Sequence, residues 1–227
     1  MALRAVVFDF DGLVVDTESL ILRAWQEEYE RHGVEFPVEA WVRANVGTTR
    51  EESDAYIDEL DELERLLGAP VDRDAVQERR SQRRRELMED ARAEPGVRDW
   101  VDAATRDGLR LAVASSSARW WVEENLARVG LADRFDHLSC ADEVGAAKPD
   151  PAVYRAALEA LGVAASEAVA LEDSPPGVRA AKGAGLFCVA VPSEVTMALD
   201  FSEADLVADS LATFTLDDLR ACMPGRP

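Results

Sequence analysis

Two aspartates one residue apart, Asp9 and Asp11, end an apolar run that starts after Arg4, and Gly12 follows them at once. In an extended segment side chains alternate, so Asp9 and Asp11 can face one way while Phe10 faces the other. Paired carboxylates at the end of a strand suit two tasks, holding a hard cation and dividing nucleophile and acid work. The theme returns at 168–171, a second apolar run that ends in Glu172, Asp173 and Ser174. Acids gathered at neighbouring strand ends repel one another unless a cation lies between them. The other reading of Asp173 or Ser174 is helix N-capping, which can coexist with a metal role. Between the two acidic pairs stand Ser115-Ser116-Ser117, directly after the run 111–114, and Lys148-Pro149-Asp150-Pro151. Hydroxyls and amides between a strand end and a helix make a neutral cradle for phosphate, although serine also caps helices. Lys148 is held extended by Pro149 and offers a movable point charge to a phosphoryl oxygen and a carboxylate; the alternative is a solvated surface lysine. The chain has only one other lysine, Lys182, against 23 arginines, which singles Lys148 out.

These residues need a frame that brings distant segments to one place. After the first strand, residues 16–92 read as helical: charged, with apolar residues at three- and four-residue spacing. Asp16 or Thr17 can cap the first helix, and segments 51–67 and 74–91 read as further helices. Glu94-Pro95-Gly96 breaks that pattern. Beyond it, strand-like runs at 109–114, 137–140, 168–171, 186–191 and 205–208 alternate with helical ones. Alternation of this kind predicts an α/β fold with a doubly wound parallel sheet, Rossmann-like with strand order 3-2-1-4-5, and a site at the strands' C-terminal ends. The expected division is a catalytic core of residues 1–15 and 93–227 with an inserted α-helical cap of residues 16–92. The stretch 79–85, with five arginines, reads either as a solvated helix face paired with glutamates or as a basic patch.

Composition narrows the function classes. A hydrophobic share of 48% and a charged share of 31% are those of a globular protein. No apolar run approaches the roughly 20 residues that span a bilayer, and no signal-like segment precedes the first strand, so the expected location is the cytoplasm. The three cysteines, Cys140, Cys188 and Cys222, are widely spaced and read as buried thiols rather than a disulfide or zinc site. A net charge of −20 argues against nucleic acid and anionic membranes as partners. An anionic substrate would therefore need a metal ion and a few placed cations. A monomer is the default expectation.

The four motifs, with Asp-Phe-Asp-Gly-Leu-Val-Val-Asp-Thr-Glu first, resemble the haloacid dehalogenase superfamily across nearly the whole chain. The helical insertion after the first motif is similar to the branch holding β-phosphoglucomutase and small sugar-phosphate phosphatases. The resemblance implies that Asp9 is the nucleophile and forms an aspartyl-phosphate, and that Asp11 protonates the leaving oxygen and then deprotonates water. It implies Mg2+ held by the Asp9 carboxylate, the Asp11 main-chain carbonyl and Asp173, with Glu172 acting directly or through water. Ser115 and the Ser116 amide would hold phosphoryl oxygens, and Lys148 would neutralise charge. The expected substrate is a small phosphorylated metabolite, a sugar or nucleoside monophosphate.

Departures within that family sharpen the expectation. A dehalogenase needs no second aspartate and no metal, so Asp11 and Glu172-Asp173 argue against it. Phosphonate-cleaving relatives use a cap lysine for a Schiff base, and residues 16–92 contain no lysine. β-Phosphoglucomutase resembles this chain at Trp25 and at Gly47-Thr48-Thr49-Arg50, but its cap carries a histidine where Ile21 stands here and a phosphate-binding lysine where only arginines are available. Those losses favour water as the final acceptor, with a phosphomutase as the alternative and an inactive phosphate-binding protein as a third reading. Arg50, after the Gly47 turn, is the leading specificity candidate, with Trp25 beside it; its bland reading is a helix-terminal arginine paired with Glu51 or Glu52. His32 and His137 lie near no motif.

Overall fold

The computed structural model describes residues 3–46 and 55–223. The chain divides into two compact units, Met1–Asp16 with Arg92–Pro227, and Thr17–Ala91. In chain order, β1 (Ala5–Phe8) precedes the helices that the described residues of the second unit form, α1 (Thr17–Arg31), α2 (Val38–Asn45), α3 (Glu59–Leu67) and α4 (Arg73–Glu89). The first unit then resumes with α5 (Val97–Arg106), β2 (Arg110–Ser115), α6 (Arg119–Arg128), β3 (His137–Cys140), α7 (Ala141–Val144) and α8 (Ala152–Leu161). It ends with β4 (Ala168–Glu172), α9 (Pro175–Gly183), β5 (Phe187–Ala190), β6 (Leu206–Val207) and α10 (Leu216–Cys222).

The strands form one parallel sheet in the order β3-β2-β1-β4-β5-β6. The five-strand order read from the sequence is therefore extended by one: the run at 205–208 pairs with Val189 and Ala190 as β6. One sheet face is built from small side chains, Ala5, Val7, Ala112, Ala114, Ala168, Ala170, Cys188 and Ala190, which pack in one cluster with residues of α8 and α9. Val6, Phe8, Leu111, Val113, Leu171 and Val189 alternate with them and are buried as well, so both faces are covered, as a parallel sheet requires. Helix α5 packs on β2 and α10 on α5; between these two helices the Trp100 indole donates to the Phe214 carbonyl at 2.6 Å. Cys140 and Cys188 are buried on strands, whereas Cys222 is exposed at the end of α10, which corrects the reading of all three as buried.

Register decides where the chemistry emerges. Phe8 pairs with Val113 on one side and Leu171 on the other. Asp9, Ser115 and Glu172 consequently leave the sheet at the same edge.

In the helical unit α1 packs on α4. Tyr29, Phe36 and Trp41 build its aromatic core, with the Tyr29 hydroxyl donating to the Glu59 carbonyl at 2.5 Å. Of the helix expected over 51–67, residues 51–54 lie outside the described residues and 55–58 precede α3, which starts at Glu59 because the Asp58 carboxylate accepts from the amides of Leu60 and Asp61. No helix among the described residues is long and apolar enough to cross a membrane.

Candidate active site

Asp9 is the first residue beyond β1, and its amide donates to the Leu171 carbonyl at 2.9 Å, tying the end of β1 to β4. Its Oδ1 accepts from the Phe10 amide at 2.6 Å and from Lys148 Nζ at 2.5 Å. Glu172, the last residue of β4, is fully buried; its Oε1 takes the Lys148 ammonium at 2.6 Å and the Tyr154 hydroxyl at 2.5 Å. Asp173 comes next, and Asp9, Glu172 and Asp173 each place a carboxylate oxygen within 4.8 Å of the others. The N-cap of α9 falls to Ser174, whose hydroxyl accepts from the Gly177 amide, so Asp173 serves the cluster rather than the cap.

Two glycines make room for this cluster. Gly12 has φ +84, and a Cβ there would run into the Asp173 carboxylate. A Cβ at Gly177 would run into the carboxylate of Glu172. Both positions are glycine because a charged group occupies the space a side chain would fill.

Asp11 is handled differently from Asp9. Strand β1 stops at Phe8, and the chain turns, with Val14 N on the Phe10 carbonyl and Gly12 N on the Val15 carbonyl. Strand alternation therefore does not carry through to Asp11. Its Oδ1 accepts from Trp121 Nε1 at 2.9 Å, and its Oδ2 from Ser117 Oγ at 2.6 Å and Ser115 Oγ at 3.4 Å. The serine run after β2 thus has internal work: Ser115 Oγ accepts the Ser117 amide at 2.9 Å, and Ser116 Oγ accepts the Lys148 amide at 3.1 Å. Sequence reasoning named Ser115 and Ser116 but missed Ser117, Trp121 and Tyr154. Ser117 was signalled by the serine run itself; Trp121 and Tyr154 sit on helices, where aromatic residues read as core.

The electrostatics follow from burial. Asp9 is pushed up to about 7, first by burial and then by the Glu172 charge, against the opposing pull of Lys148 and the Phe10 amide. Burial alone would lower Lys148, but Asp9 and Glu172 outweigh it and hold the ammonium above its ordinary value. The Tyr154 hydroxyl is also raised, by burial and by Glu172, and stays a donor. Three buried carboxylates against one buried ammonium leave excess negative charge. A proton can relieve it, and so can a divalent cation; the all-oxygen donor set fits a hard ion such as Mg2+.

In the helical unit, Trp25 is buried with its ring edge-on to Tyr29, and the Arg80 guanidinium lies over it at 5.0 Å. Most of the neighbouring arginines are paired: Arg79 with Glu28, Arg83 with Glu27 and Glu86, Arg85 with Glu78. Arg80 bonds Gln77 and has no carboxylate partner among the described residues. Gly47 and Arg50 lie outside the described residues. His32 sits beside Glu28, and His137 starts β3; neither belongs to the carboxylate cluster.

A family model for haloacid dehalogenase-like hydrolases matches residues 3–185. The chain belongs to that family. It is 37% identical to YhcW of Bacillus subtilis (strain 168) over 94% of either chain. It is 33% identical to the phosphorylated carbohydrates phosphatase of Thermotoga maritima over 81% of this chain and 82% of that one. Among solved structures it is similar to a variant of CbbY from Rhodobacter sphaeroides, bound to xylulose-(1,5)bisphosphate. The identity is 33%, covering 96% of this chain and 99% of that one with a TM-score of 0.72. Within the family the chain is a phosphoric monoester hydrolase.

Proposed function

We propose that this protein is a Mg2+-dependent phosphatase of a small phosphorylated sugar and works through an aspartyl-phosphate on Asp9. The observation that carries the reading is the unequal treatment of the two neighbouring aspartates. Asp9 faces an ammonium inside the carboxylate cluster, which suits a nucleophile, while Asp11 is held apart by neutral donors, which suits a proton carrier. In the first half, an Asp9 oxygen bonds to phosphorus, the ester P–O bond breaks, and the Asp11 proton goes to the leaving oxygen. In the second half, Asp11 takes a proton from water as it attacks phosphorus, and the Asp9–phosphorus bond breaks to release inorganic phosphate. Asp9, Asp173 and the Asp11 carbonyl would hold Mg2+, with Glu172 direct or through water. When bound, the cation supplies charge neutralisation for the phosphoryl oxygens. Lys148 adds the second positive charge, and Ser115 with the Ser116 amide is the proposed cradle for the phosphoryl oxygens.

The sugar is supported by the names of the Thermotoga relative and of the ligand in the CbbY structure. For specificity, Arg50, Gly47 and Trp25 remain the proposed determinants. Arg80, stacked on Trp25 within the helical unit, is a further candidate beside them.

The test is phosphate release from a panel of sugar and nucleoside phosphates, with and without Mg2+, beside Asp9→Asn. Release that needs both Mg2+ and Asp9, with sugar phosphates fastest, is the expected result. Bisphosphate-dependent isomerisation of β-glucose 1-phosphate without net release would contradict it in favour of a mutase. Phosphate binding with no turnover of any ester would contradict it in favour of a binding protein.

A further inference from the structure

We propose that Trp121 is a positioning residue for Asp11, fixing both the orientation of its carboxyl group and the oxygen that carries its proton. The inference rests on the acid–base role proposed for Asp11. An indole N–H donates and cannot accept. With Trp121 Nε1 donating to Asp11 Oδ1 at 2.9 Å, that oxygen is the better acceptor and a proton on it is disfavoured. Oδ2 has a different neighbour, the Ser117 hydroxyl at 2.6 Å, which can rotate to donate to a carboxylate or accept from a carboxylic acid. Ser115 Oγ stands 3.4 Å from the same oxygen. The transferable proton is thereby directed to Oδ2 in both halves of the reaction.

The two holders are themselves anchored. Ser117 is fixed through its amide on Ser115 Oγ. Trp121 lies in the first turn of α6, where its carbonyl accepts from the buried Asn125 side chain at 2.8 Å and its ring packs edge-on to Trp120. The indole therefore reaches Asp11 from an element separate from the turn that carries it, and the carboxyl plane is set by donors on its two oxygens. Loss of one such donor leaves the group in place but free to rotate, an effect on proton transfer rather than on binding.

The experiment compares Trp121→Phe and Asp11→Asn with two substrates in single-turnover mode, reading release of the leaving group. A sugar phosphate needs its leaving oxygen protonated; p-nitrophenyl phosphate does not. Trp121→Phe is expected to slow release from the sugar phosphate about tenfold and to leave the aryl ester and both KM values within about twofold. Ser117→Ala should show the same contrast and checks against a packing defect peculiar to the tryptophan. Equal slowing of both esters by Trp121→Phe, or no slowing, would overturn the inference. The Asp11→Asn control separates causes: a strong contrast there without one in Trp121→Phe removes only the tryptophan's role. No contrast in Asp11→Asn removes the acid role of Asp11 and this inference with it.

Discussion

Asp9 and Lys148 meet at 2.5 Å in a space closed to solvent, and Glu172 shares the same ammonium. The charges do not balance, so Asp9 holds a proton up to about pH 7 when no cation is bound, well above its ordinary value of 3.8. A carboxyl whose value is raised on folding contributes stability at low pH and loses it as pH rises through the folded value. A divalent cation competes with that proton for the same carboxylates. The melting temperature should therefore gain little from added Mg2+ near about pH 5 and several degrees near about pH 8, and Asp9→Asn should flatten the dependence. A gain that is the same across that range would contradict the competition. At this scale much was legible in the sequence. Asp9, Lys148, Glu172 and Asp173 carry charge at strand ends or in a proline-flanked turn, and types and spacing sufficed to single them out. Trp121 and Tyr154 were not legible. Each meets its carboxylate through long-range contact, and a helical aromatic offers no local sign of a polar partner.

Helix α9 shows how an element can be shaped by the site it serves. Gly177 lies in its first turn, where replacing glycine by alanine ordinarily stabilises a helix by roughly 0.5–1 kcal/mol. Here the new Cβ would meet the Glu172 carboxylate, which holds Tyr154 and Lys148. Disturbing a buried charged hydrogen-bond network costs about 1–3 kcal/mol per group left unsatisfied, which outweighs the helix gain. Gly177→Ala is therefore expected to lower the urea midpoint of unfolding and to weaken the Mg2+-induced rise in melting temperature. An unchanged or higher midpoint would show that Glu172 can move aside without loss. The fold's elements were readable where periodicity was clean, as in β3 at His137–Cys140. They were misread where a cap decided the boundary: Asp58 starts α3 at Glu59, though the charged residues before it look equally helical. The sixth strand lies within the strand-like run read at 205–208, but only Leu206 and Val207 pair with β5, and the expected five-strand order assigned that run no place in the sheet.

For the whole molecule, a net charge of −20 sets the problem that the site must solve. Carboxylates outnumber cations around the nucleophile as they do across the surface, so an anionic ester can be held only where cations are concentrated. Lys148 supplies one such charge and the proposed Mg2+ another. The sequence showed a basic stretch at 79–85, yet the pairing of Arg79 and Arg83 depends on glutamates of α1 packed against α4, and spacing alone does not reveal it. The parallel α/β architecture was legible because strand and helix periods alternate down the chain. The measurement that bears most directly on the proposed chemistry is rapid acid quench of the enzyme with labelled sugar phosphate and Mg2+, followed by peptide analysis. The predicted result is a hydroxylamine-labile phosphoryl group on Asp9 that forms and decays with turnover and is absent in Asp9→Asn. Phosphate release with no label on Asp9 at any time, or turnover retained in Asp9→Asn, would contradict a covalent mechanism at this residue.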